Sequence, residues 1–340
     1  MIISSINIIS IDKILNNPLI NSKNRYQKLK GYYVLCVSEK FTGKGEVSIL
    51  SGFSKESFQE ISWIFESFKS GFPINENLHI EEFVEYIGIH TQGAPALRFA
   101  LETAIYDVYC QKKNISLAAF FKKNHSNHIN LSTIFTQDYN RTVCFDTIKL
   151  KIGVNKLADD LIIMNKINKI KKMKFRLDAN QSLSLDDLLF IEKNLNGINV
   201  QYIEEPFENL NEKKLLKLKA ETSFEVAVDE SIYNSDAYKD WIKTGLINYI
   251  VIKPSIFGGY SDFFNLTEYA KKYNIEIIVS SALETHVGHM ATVHLASCVN
   301  NSQSHGLDYY AFYKNYSKHI YSKNESKVYL DNIIGLGVEL

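Results

Sequence analysis

Five residues that can bind a cation or move a proton recur at nearly constant spacing through the second half of the chain. They lie 24 to 27 residues apart and are Lys151, Asp178, Glu204, Asp229 and Lys253. Each closes a short apolar run, and the interval has the length of one strand, one helix and two short loops. Functional groups at successive strand ends of repeated strand–helix units predict a (β/α)8 barrel, whose chemistry lies at the C-terminal rim of its strands.

Three of these residues are carboxylates on what would be the third, fourth and fifth strands, side by side around the rim. Oxygen ligands without histidine or cysteine suit a hard divalent cation, Mg²⁺ before Mn²⁺. Any one carboxylate could instead cap a following helix or pair with a lysine. Because all three occupy the same place in successive units, we interpret them together as a cation site.

The lysines flank the carboxylates in the sequence. Lys149 and Lys151 are two residues apart on one strand, so both side chains point to the same face. Like charge and partial burial should lower the pKa of one of them, which would make it a usable base near neutral pH. Lys253 lies four strands further round the barrel and should face Lys151 across the metal. The alternative is that strand-end lysines extend their amino groups into solvent.

The composition excludes several broad classes of protein. The 340 residues carry 38 basic and 38 acidic side chains, a balance that gives no reason to expect a nucleic-acid or membrane partner. The four cysteines lie far apart and form no CxxC pair, so we expect reduced core residues of a cytoplasmic protein. The apolar start MIISSINIIS lacks a basic segment and a cleavage site, so we interpret it as a strand rather than a signal peptide.

The periodicity of apolar residues differs between two parts of the chain. Up to about residue 115 the pattern is that of an α+β domain, with two early strands joined by a turn near Thr42–Gly45. From about residue 128 strands and helices alternate, and the pattern breaks after Tyr310. We therefore predict an N-terminal capping domain at 1–115, completed by a returning segment at 315–340, and a barrel at 116–314.

The predicted site suits the removal of a proton from the carbon next to a carboxylate. Such a carbon acid is very weak, and its deprotonation places two negative charges on an enediolate. A metal bound to the carboxylate oxygens offsets that charge where it develops. A lysine on one face takes the proton, and a lysine on the other face returns one or stabilises the anion.

The strand-end motifs resemble a known family over essentially the whole chain. KLKIG, RLDANQS, YIEEP, VAVDES and VIKPS occur in the order found in the muconate-lactonizing branch of the enolase superfamily. Within that branch GKGEVSILSGFSKESF, LRFALETAIYDV and SSALETHVG are similar to stretches of the o-succinylbenzoate synthases. The resemblance implies an N-terminal α+β capping domain and a (β/α)8-type barrel that lacks the usual final helix, β/α7β.

The resemblance also implies roles for individual residues. By position it assigns the base to Lys151, its like-charged neighbour to Lys149, the opposing charge to Lys253, and the Mg²⁺ ligands to Asp178, Glu204 and Asp229. It assigns substrate contacts to Asn180, Ser280 and Ser281. Glu205 and Glu230 follow metal ligands, and we expect them to support those ligands while pointing away from the site.

The implied activity is that of a carbon–oxygen lyase acting on a small carboxylate. It is the Mg²⁺-dependent dehydration of SHCHC, a hydroxy-cyclohexadiene carboxylate, to o-succinylbenzoate through a metal-stabilised enediolate in menaquinone biosynthesis. A homo-oligomer is compatible with the sequence. Segments near Asn21–Leu29 and Ser48–Ser54 should cover the barrel mouth, although ILSGF lacks the prolines of the family's PLPGF.

One departure from the pattern leaves a second activity open. The eighth strand reads GLDYY where the synthases usually have GLGTG, and dipeptide epimerases of this branch carry a DxD there to hold the substrate ammonium. Asp308 matches only the second of those carboxylates, because Gly306 stands at the first. The alternatives are therefore a dipeptide epimerase or N-acylamino-acid racemase and, less favoured, a non-catalytic binding barrel. Asp308 could equally be a helix or turn cap.

Overall fold

The computed structural model of the chain describes residues 1–20, 25–50, 52–299, 301–313, 320–322 and 324–340. Its N-terminal part is an antiparallel sheet in the order β1-β2-β3, built from β1 (Ser5–Ile20), β2 (Arg25–Ser38) and β3 (Phe41–Ser48). Three helices follow: α1 (Phe58–Gly71), α2 (Ile80–His90) and α3 (Pro95–Lys113).

The turn between β2 and β3 lies at Glu39–Lys40, earlier than the predicted position near Thr42–Gly45. Glu39 supplies the left-handed backbone of the turn with φ 56°. Thr42 and Gly45 already belong to the ladder, opposite residues of β2. The prediction was wrong because the glycines of this segment serve packing rather than chain reversal.

Gly43 and Gly45 allow α3 to pack directly on β3. A Cβ atom at Gly43 would lie 1.9 Å from the carbonyl oxygen of Ala104, and one at Gly45 would lie 1.9 Å from that of Ala100. No side chain would fit at either place without moving the helix backbone. The sheet and α3 therefore form one closely packed unit, from which β3 extends toward the barrel.

The remainder of the chain alternates strands with helices after the short α4 (Leu117–Phe121). The strands are β4 (His128–Leu131), β5 (Thr133–Ile134), β6 (Thr147–Lys151), β7 (Lys174–Asp178), β8 (Asn199–Glu204), β9 (Val226–Val228), β10 (Tyr249–Ile252), β11 (Glu276–Val279) and β12 (Ser304–His305). The helices are α5 (Tyr139–Thr142), α6 (Leu157–Ile170), α7 (Leu185–Lys193), α8 (Glu212–Glu221), α9 (Ser231–Asn234), α10 (Ala237–Lys243), α11 (Pro254–Phe257), α12 (Tyr260–Lys272) and α13 (His286–Val299). Seven strands form one parallel sheet in the order β11-β10-β9-β8-β7-β6-β5.

The barrel closes through its first and eighth strands. The predicted first strand is interrupted at Ser132, so that β5 pairs with β6 while β4 pairs with β12. A parallel bridge between Ser280 and Gly306 joins the seventh strand to the eighth, and Gly306 N donates to Val279 O at 2.8 Å. After β12 the described residues contain a 3-10 turn, Tyr309–Ala311, and no further α-helix. The predicted fold class, a barrel without its final helix behind an N-terminal α+β part, is confirmed.

The C-terminal segment contacts both parts of the molecule. The last strand, β13 (Lys327–Tyr329), pairs antiparallel with β4 at the barrel. Further on, Leu336 N donates to Asp107 Oδ1 of α3 at 2.7 Å. The boundaries expected for the two domains stay a prediction. In the described part of the chain, no helix is both long enough and apolar enough to span a bilayer.

We predict that Gly45→Ala destabilises the protein by about 3 kcal/mol, because the added methyl group must push the α3 backbone away from β3. Gly88→Ala is the matched control. It lies within α2, where the nearest atoms to a new Cβ are 3.8 Å away. Alanine there should stabilise the helix by about 0.5–1 kcal/mol. Chemical denaturation of both variants checks the prediction, and equal effects would contradict it.

Candidate active site

The sheet register brings the five strand-end residues to one level of the barrel. Lys151 lies opposite Asp178 in the ladder, and Asp178 lies opposite Glu204. Asp229 and Lys253 directly follow β9 and β10. Parallel strands that end in register place their terminal side chains around one rim, as the spacing of the sequence predicted.

A small cavity of about 60 Å³ opens at this rim. The barrel contributes Ile134, Lys149, Lys151, Asp178, Asn180, Asp229, Lys253, Ser280, Ser281, Leu283, Gly306 and Phe312 to its lining. The N-terminal part contributes Leu19, Tyr26, Leu50 and Phe53. Both segments expected to cover the barrel mouth therefore reach the cavity, although residues 21–24 and 51 of those segments lie outside the described residues.

Lys149 and Lys151 are both held by carboxylates. Lys149 Nζ lies 2.8 Å from Asp178 Oδ2 and 2.7 Å from Glu204 Oε1. Lys151 Nζ donates to Asp178 Oδ2 at 3.1 Å and to Asn180 Oδ1 at 2.6 Å. The two amino groups point into the barrel and do not extend into solvent.

The carboxylates beside Lys149 determine the direction of its pKa shift. Burial lowers the pKa of this ammonium, but the charges of Asp178 and Glu204 outweigh burial, so its pKa is raised well above the ordinary value. The lowered pKa that was predicted for one lysine of the pair is therefore not found at Lys149. The sequence could not show that two carboxylates would lie within 3 Å of this amino group.

The three carboxylates differ in how well they are compensated. Burial raises the pKa of Asp178, but Lys149 and Lys151 outweigh burial, so the net pKa is lowered. Burial raises the pKa of Glu204 to about 7, with the charges of Asp178 and Asp229 opposing Lys149. Burial also raises the pKa of Asp229, although this carboxylate is ion-paired with Lys253. Glu204 is the least compensated of the three.

The donor set fits a hard divalent cation. The three carboxylates lie at the ends of adjacent strands, and Glu204 Oε2 is buried with no hydrogen-bond partner among the described residues. Such an orphaned carboxylate oxygen suits a cation or another donor, since an uncompensated buried charge is costly. As the described residues are arranged, no three histidine, cysteine or acidic side chains are grouped as metal ligands, because lysine amino groups lie between the carboxylates.

Lys253 lies beside two aromatic residues at the cavity. Its ammonium is paired with Asp229 and lies 4.0 Å from the ring centre of Phe53, which comes from the N-terminal part. The Lys253 backbone N–H donates to the Tyr233 hydroxyl at 2.8 Å. Lys151 ends β6 and Lys253 follows β10, four places away in the sheet order, and both line the same cavity. Phe53 ends the ILSGF stretch of the segment expected to cover the barrel mouth, but its contact with Lys253 was not predicted.

Asn180 connects the predicted base to Glu230. Its Nδ2 donates to Glu230 Oε1 at 2.9 Å, while its Oδ1 accepts from Lys151. Glu205 accepts from the backbone N–H groups of Asp229 and Ser231 and does not line the cavity. Asn180 therefore orients Lys151 as well as lining the cavity, and its role toward substrate stays a prediction, as do the supporting roles of Glu205 and Glu230.

The two serines expected to contact substrate lie at the seventh strand end. Ser280 and Ser281 both line the cavity. Ser281 Oγ donates to Glu284 Oε2 and accepts from Leu283 N at 2.9 Å. Both lone pairs and the proton of a hydroxyl can be used, so one acceptor position on Ser281 remains for a ligand. Their role as substrate contacts stays a prediction.

Asp308 is engaged by an arginine. Its two carboxylate oxygens accept from Arg141 Nη2 at 2.5 Å and Nη1 at 2.6 Å, and Thr133 Oγ1 donates to Oδ2 at 2.5 Å. This bidentate pair joins α5 to the residues after β12. Asp308 does not line the cavity, whereas Gly306 does. No motif had marked Arg141, which is distant in sequence from Asp308.

Comparisons with known proteins agree with this geometry. Residues 135–340, more than half of the chain, match the family described as enolase C-terminal domain-like. The chain belongs to this family. The resemblance to the enolase superfamily and its o-succinylbenzoate synthases is thereby confirmed.

Members of the family with two different activities are similar to this chain. An o-succinylbenzoate synthase of Desulfotalea psychrophila is 22% identical over 342 residues, covering 89% of this chain and 93% of that protein. A hydrophobic dipeptide epimerase of Enterococcus faecalis is 24% identical over 245 residues, covering 68% of each. A solved dipeptide epimerase from Enterococcus faecalis V583, complexed with Mg and the dipeptide L-Leu-L-Tyr, superposes with a TM-score of 0.87 at 19% identity and covers 100% of both chains. At that identity the superposition shows the shared fold.

We predict that Asp308→Asn lowers the free energy of unfolding by about 2 kcal/mol, because the guanidinium of Arg141 loses its bidentate partner in a largely buried place. Among described residues it then keeps only the longer pair with Glu325, at 3.5 Å. Asp12→Asn is the matched control, since Asp12 pairs with Lys28 at the exposed surface and such pairs contribute little. Urea denaturation of the two variants makes the comparison. A stability of Asp308→Asn equal to that of the unsubstituted protein would contradict a structural role for Asp308.

Proposed function

We propose that this protein dehydrates SHCHC to o-succinylbenzoate with Mg²⁺ as cofactor, a carbon–oxygen lyase reaction of menaquinone biosynthesis. The observation that carries the proposal is that no free carboxylate faces the cavity from the described residues at the end of the eighth strand. Asp308 is held by Arg141 and Thr133, and Gly306 takes the place nearest the cavity. An epimerase that binds a dipeptide ammonium needs free acidic groups there, as the family resemblance implies.

The remaining charges of the cavity point to the same class of substrate. Among the described lining residues, Asp178 is paired with Lys149 and Lys151, and Asp229 is paired with Lys253. In the proposed reaction these carboxylates would hold Mg²⁺, so neither would be available to a substrate ammonium. The three lysines would instead attract a substrate that carries carboxylates and no ammonium, as SHCHC does.

Each side chain at the rim would have its own role in the reaction. Lys151, oriented by Asn180, removes the α-proton and then gives a proton to the departing hydroxide. One C–H bond and one C–O bond break, a double bond forms, and water leaves. Lys253 stabilises the anion from the opposite face by its charge. Asp178, Glu204 and Asp229 would hold Mg²⁺, which when bound offsets the negative charge that develops on the substrate carboxylate.

A proton transfer without loss of water is the second candidate. It is supported by the relatives and solved neighbours that are dipeptide epimerases. Epimerisation or N-acylamino-acid racemisation would use the same two lysines in turn, one on each face of the substrate. The two candidates use the same lysines and the same cation, so they differ in whether Lys253 transfers a proton and in what the rest of the cavity binds.

An assay of the purified protein with Mg²⁺ separates the two candidates. We expect formation of o-succinylbenzoate from SHCHC and no deuterium incorporation into a panel of L,L-dipeptides that includes L-Ala-L-Glu. Robust epimerisation of a dipeptide with no o-succinylbenzoate formed would overturn the assignment and favour the second candidate.

Substitutions of Lys151 and Lys253 should affect the reaction in different ways. Lys151→Ala should abolish exchange of the substrate α-proton in D₂O, because no other base is assigned to that face. Lys253→Arg should keep a positive charge but misplace it, and turnover should fall by about 100-fold, as when one anion-stabilising donor is lost. Proton NMR follows the exchange and absorbance follows turnover. If Lys253→Ala retained exchange on one face of a dipeptide, the epimerase would be favoured.

We predict that Asp178→Asn, Glu204→Gln and Asp229→Asn each lower the rate by about 1,000-fold or more while the fold survives, since each removes charge that would hold Mg²⁺. Calorimetric titration should show weaker Mg²⁺ binding in all three. Asp146→Asn is the control, because Asp146 is an exposed carboxylate before β6 that pairs only with a surface lysine among described residues. Full activity after treatment with EDTA would refute the metal requirement.

A further inference from the structure

A carboxylate of the N-terminal sheet sits at the start of a barrel helix. Glu46 is the last residue of the GKGE stretch on β3, and it is buried. Its Oε1 accepts from Thr285 N at 2.9 Å, and its Oε2 accepts from Thr285 Oγ1 at 2.7 Å and from Gly288 N at 3.0 Å. The free N–H groups at the start of α13 are thus satisfied by a residue distant in sequence.

A second chain of contacts runs beside the first. Lys13 of β1 lies 3.5 Å from Glu46 Oε1, and both side chains are fully buried. Lys13 Nζ donates to Ser48 Oγ at 2.7 Å, and Ser48 Oγ donates to Ala282 O at 2.9 Å. Tyr33 of β2 shares a hydrogen bond of 2.8 Å with Thr285 Oγ1. Strands β2 and β3 therefore bind the same short segment of the barrel, and β1 supports β3 there through Lys13.

That segment is the loop SSALET, residues 280–285, which follows the seventh strand. It supplies Ser280, Ser281 and Leu283 to the cavity. Leu283 has φ 61°, a left-handed backbone that is costly for leucine and persists only where its surroundings impose it. Within the barrel, Glu284 accepts hydrogen bonds from Ser281 Oγ and Ser255 Oγ. The contacts that hold this loop from outside the barrel come from the N-terminal sheet.

We propose that Glu46 is a positioning residue of the active site, which fixes the SSALET loop and thereby the placement of Ser281 and Leu283 against the substrate. The inference rests on the site proposed above, and it holds for either candidate reaction because the loop lines the cavity in both. Glu46 acts through the loop and does not line the cavity itself.

The molecule contains a natural control for this role. Glu102 of α3 is also fully buried, is paired with Arg98 at 2.7 Å, and accepts from Tyr260 N at 2.7 Å at the start of α12. Glu46 and Glu102 thus make the same kind of contact, a buried carboxylate from the N-terminal part at the first turn of a barrel helix. Only Glu46 is bonded to the loop that carries Ser281.

Glu46→Gln and Glu102→Gln should both lower Tm, because each removes a charge from a helix start. Only Glu46→Gln should raise KM, by about tenfold or more, for whichever substrate the unsubstituted protein turns over. Glu102→Gln should leave KM within about twofold of the original. Hydrogen–deuterium exchange read by mass spectrometry should show faster exchange over residues 281–288 in Glu46→Gln and unchanged exchange there in Glu102→Gln.

Two results would overturn the inference. The first is an equal rise of KM in both variants, which would indicate general destabilisation. The second is an unchanged KM in Glu46→Gln together with unchanged hydrogen–deuterium exchange over residues 281–288. If Glu46→Gln does not fold, Lys13→Met/Glu46→Gln replaces it, since that variant removes both buried charges together. If the unsubstituted protein turns over neither SHCHC nor a dipeptide, the proposed function fails, while the exchange experiment still decides whether Glu46 positions the loop.

Discussion

The balance of charge inside the barrel rim is the constraint on which the rest of the structure depends. Three carboxylates and three lysine ammonium groups meet where the parallel strands end, and each carboxylate has at least one lysine partner. Isolated charges in such a place would be expensive to bury. These pairs keep the three carboxylates together at one rim.

The N-terminal part completes the site in a way that the barrel could not achieve alone. A barrel rim is open to water, and exposed ion pairs are weakened by solvent. Phe53 covers Lys253, while Leu50 and Tyr26 close other sides of the cavity. The two parts are joined by buried carboxylates, Glu46 and Glu102, at the starts of α13 and α12. Such directional bonds fix the relative placement of two surfaces more closely than apolar contact does.

The sequence predicted what depends on local periodicity and failed where a contact joins distant residues. The strand-end residues could be found because a regular strand–helix repeat forces them to one rim, whereas the missing final helix was implied by the resemblance to the family. The turn at Glu39 was misplaced because Gly43 and Gly45 looked like turn residues, although they serve the packing of α3. The pairing of Asp308 with Arg141 and the direction of the Lys149 pKa shift needed the geometry itself, since neither follows from spacing.

The choice between two reactions reduces to a few side chains at one strand end. The base, the opposing lysine and the carboxylates would serve loss of water and return of a proton equally well, so they cannot distinguish the substrates. An ammonium group must exchange water for an acidic partner on entering the cavity, and without one its desolvation opposes binding. Arg141 holds the only carboxylate that this strand end contributes among the described residues. By occupying Asp308, Arg141 would exclude dipeptides while leaving the proton-transfer chemistry of the rim intact.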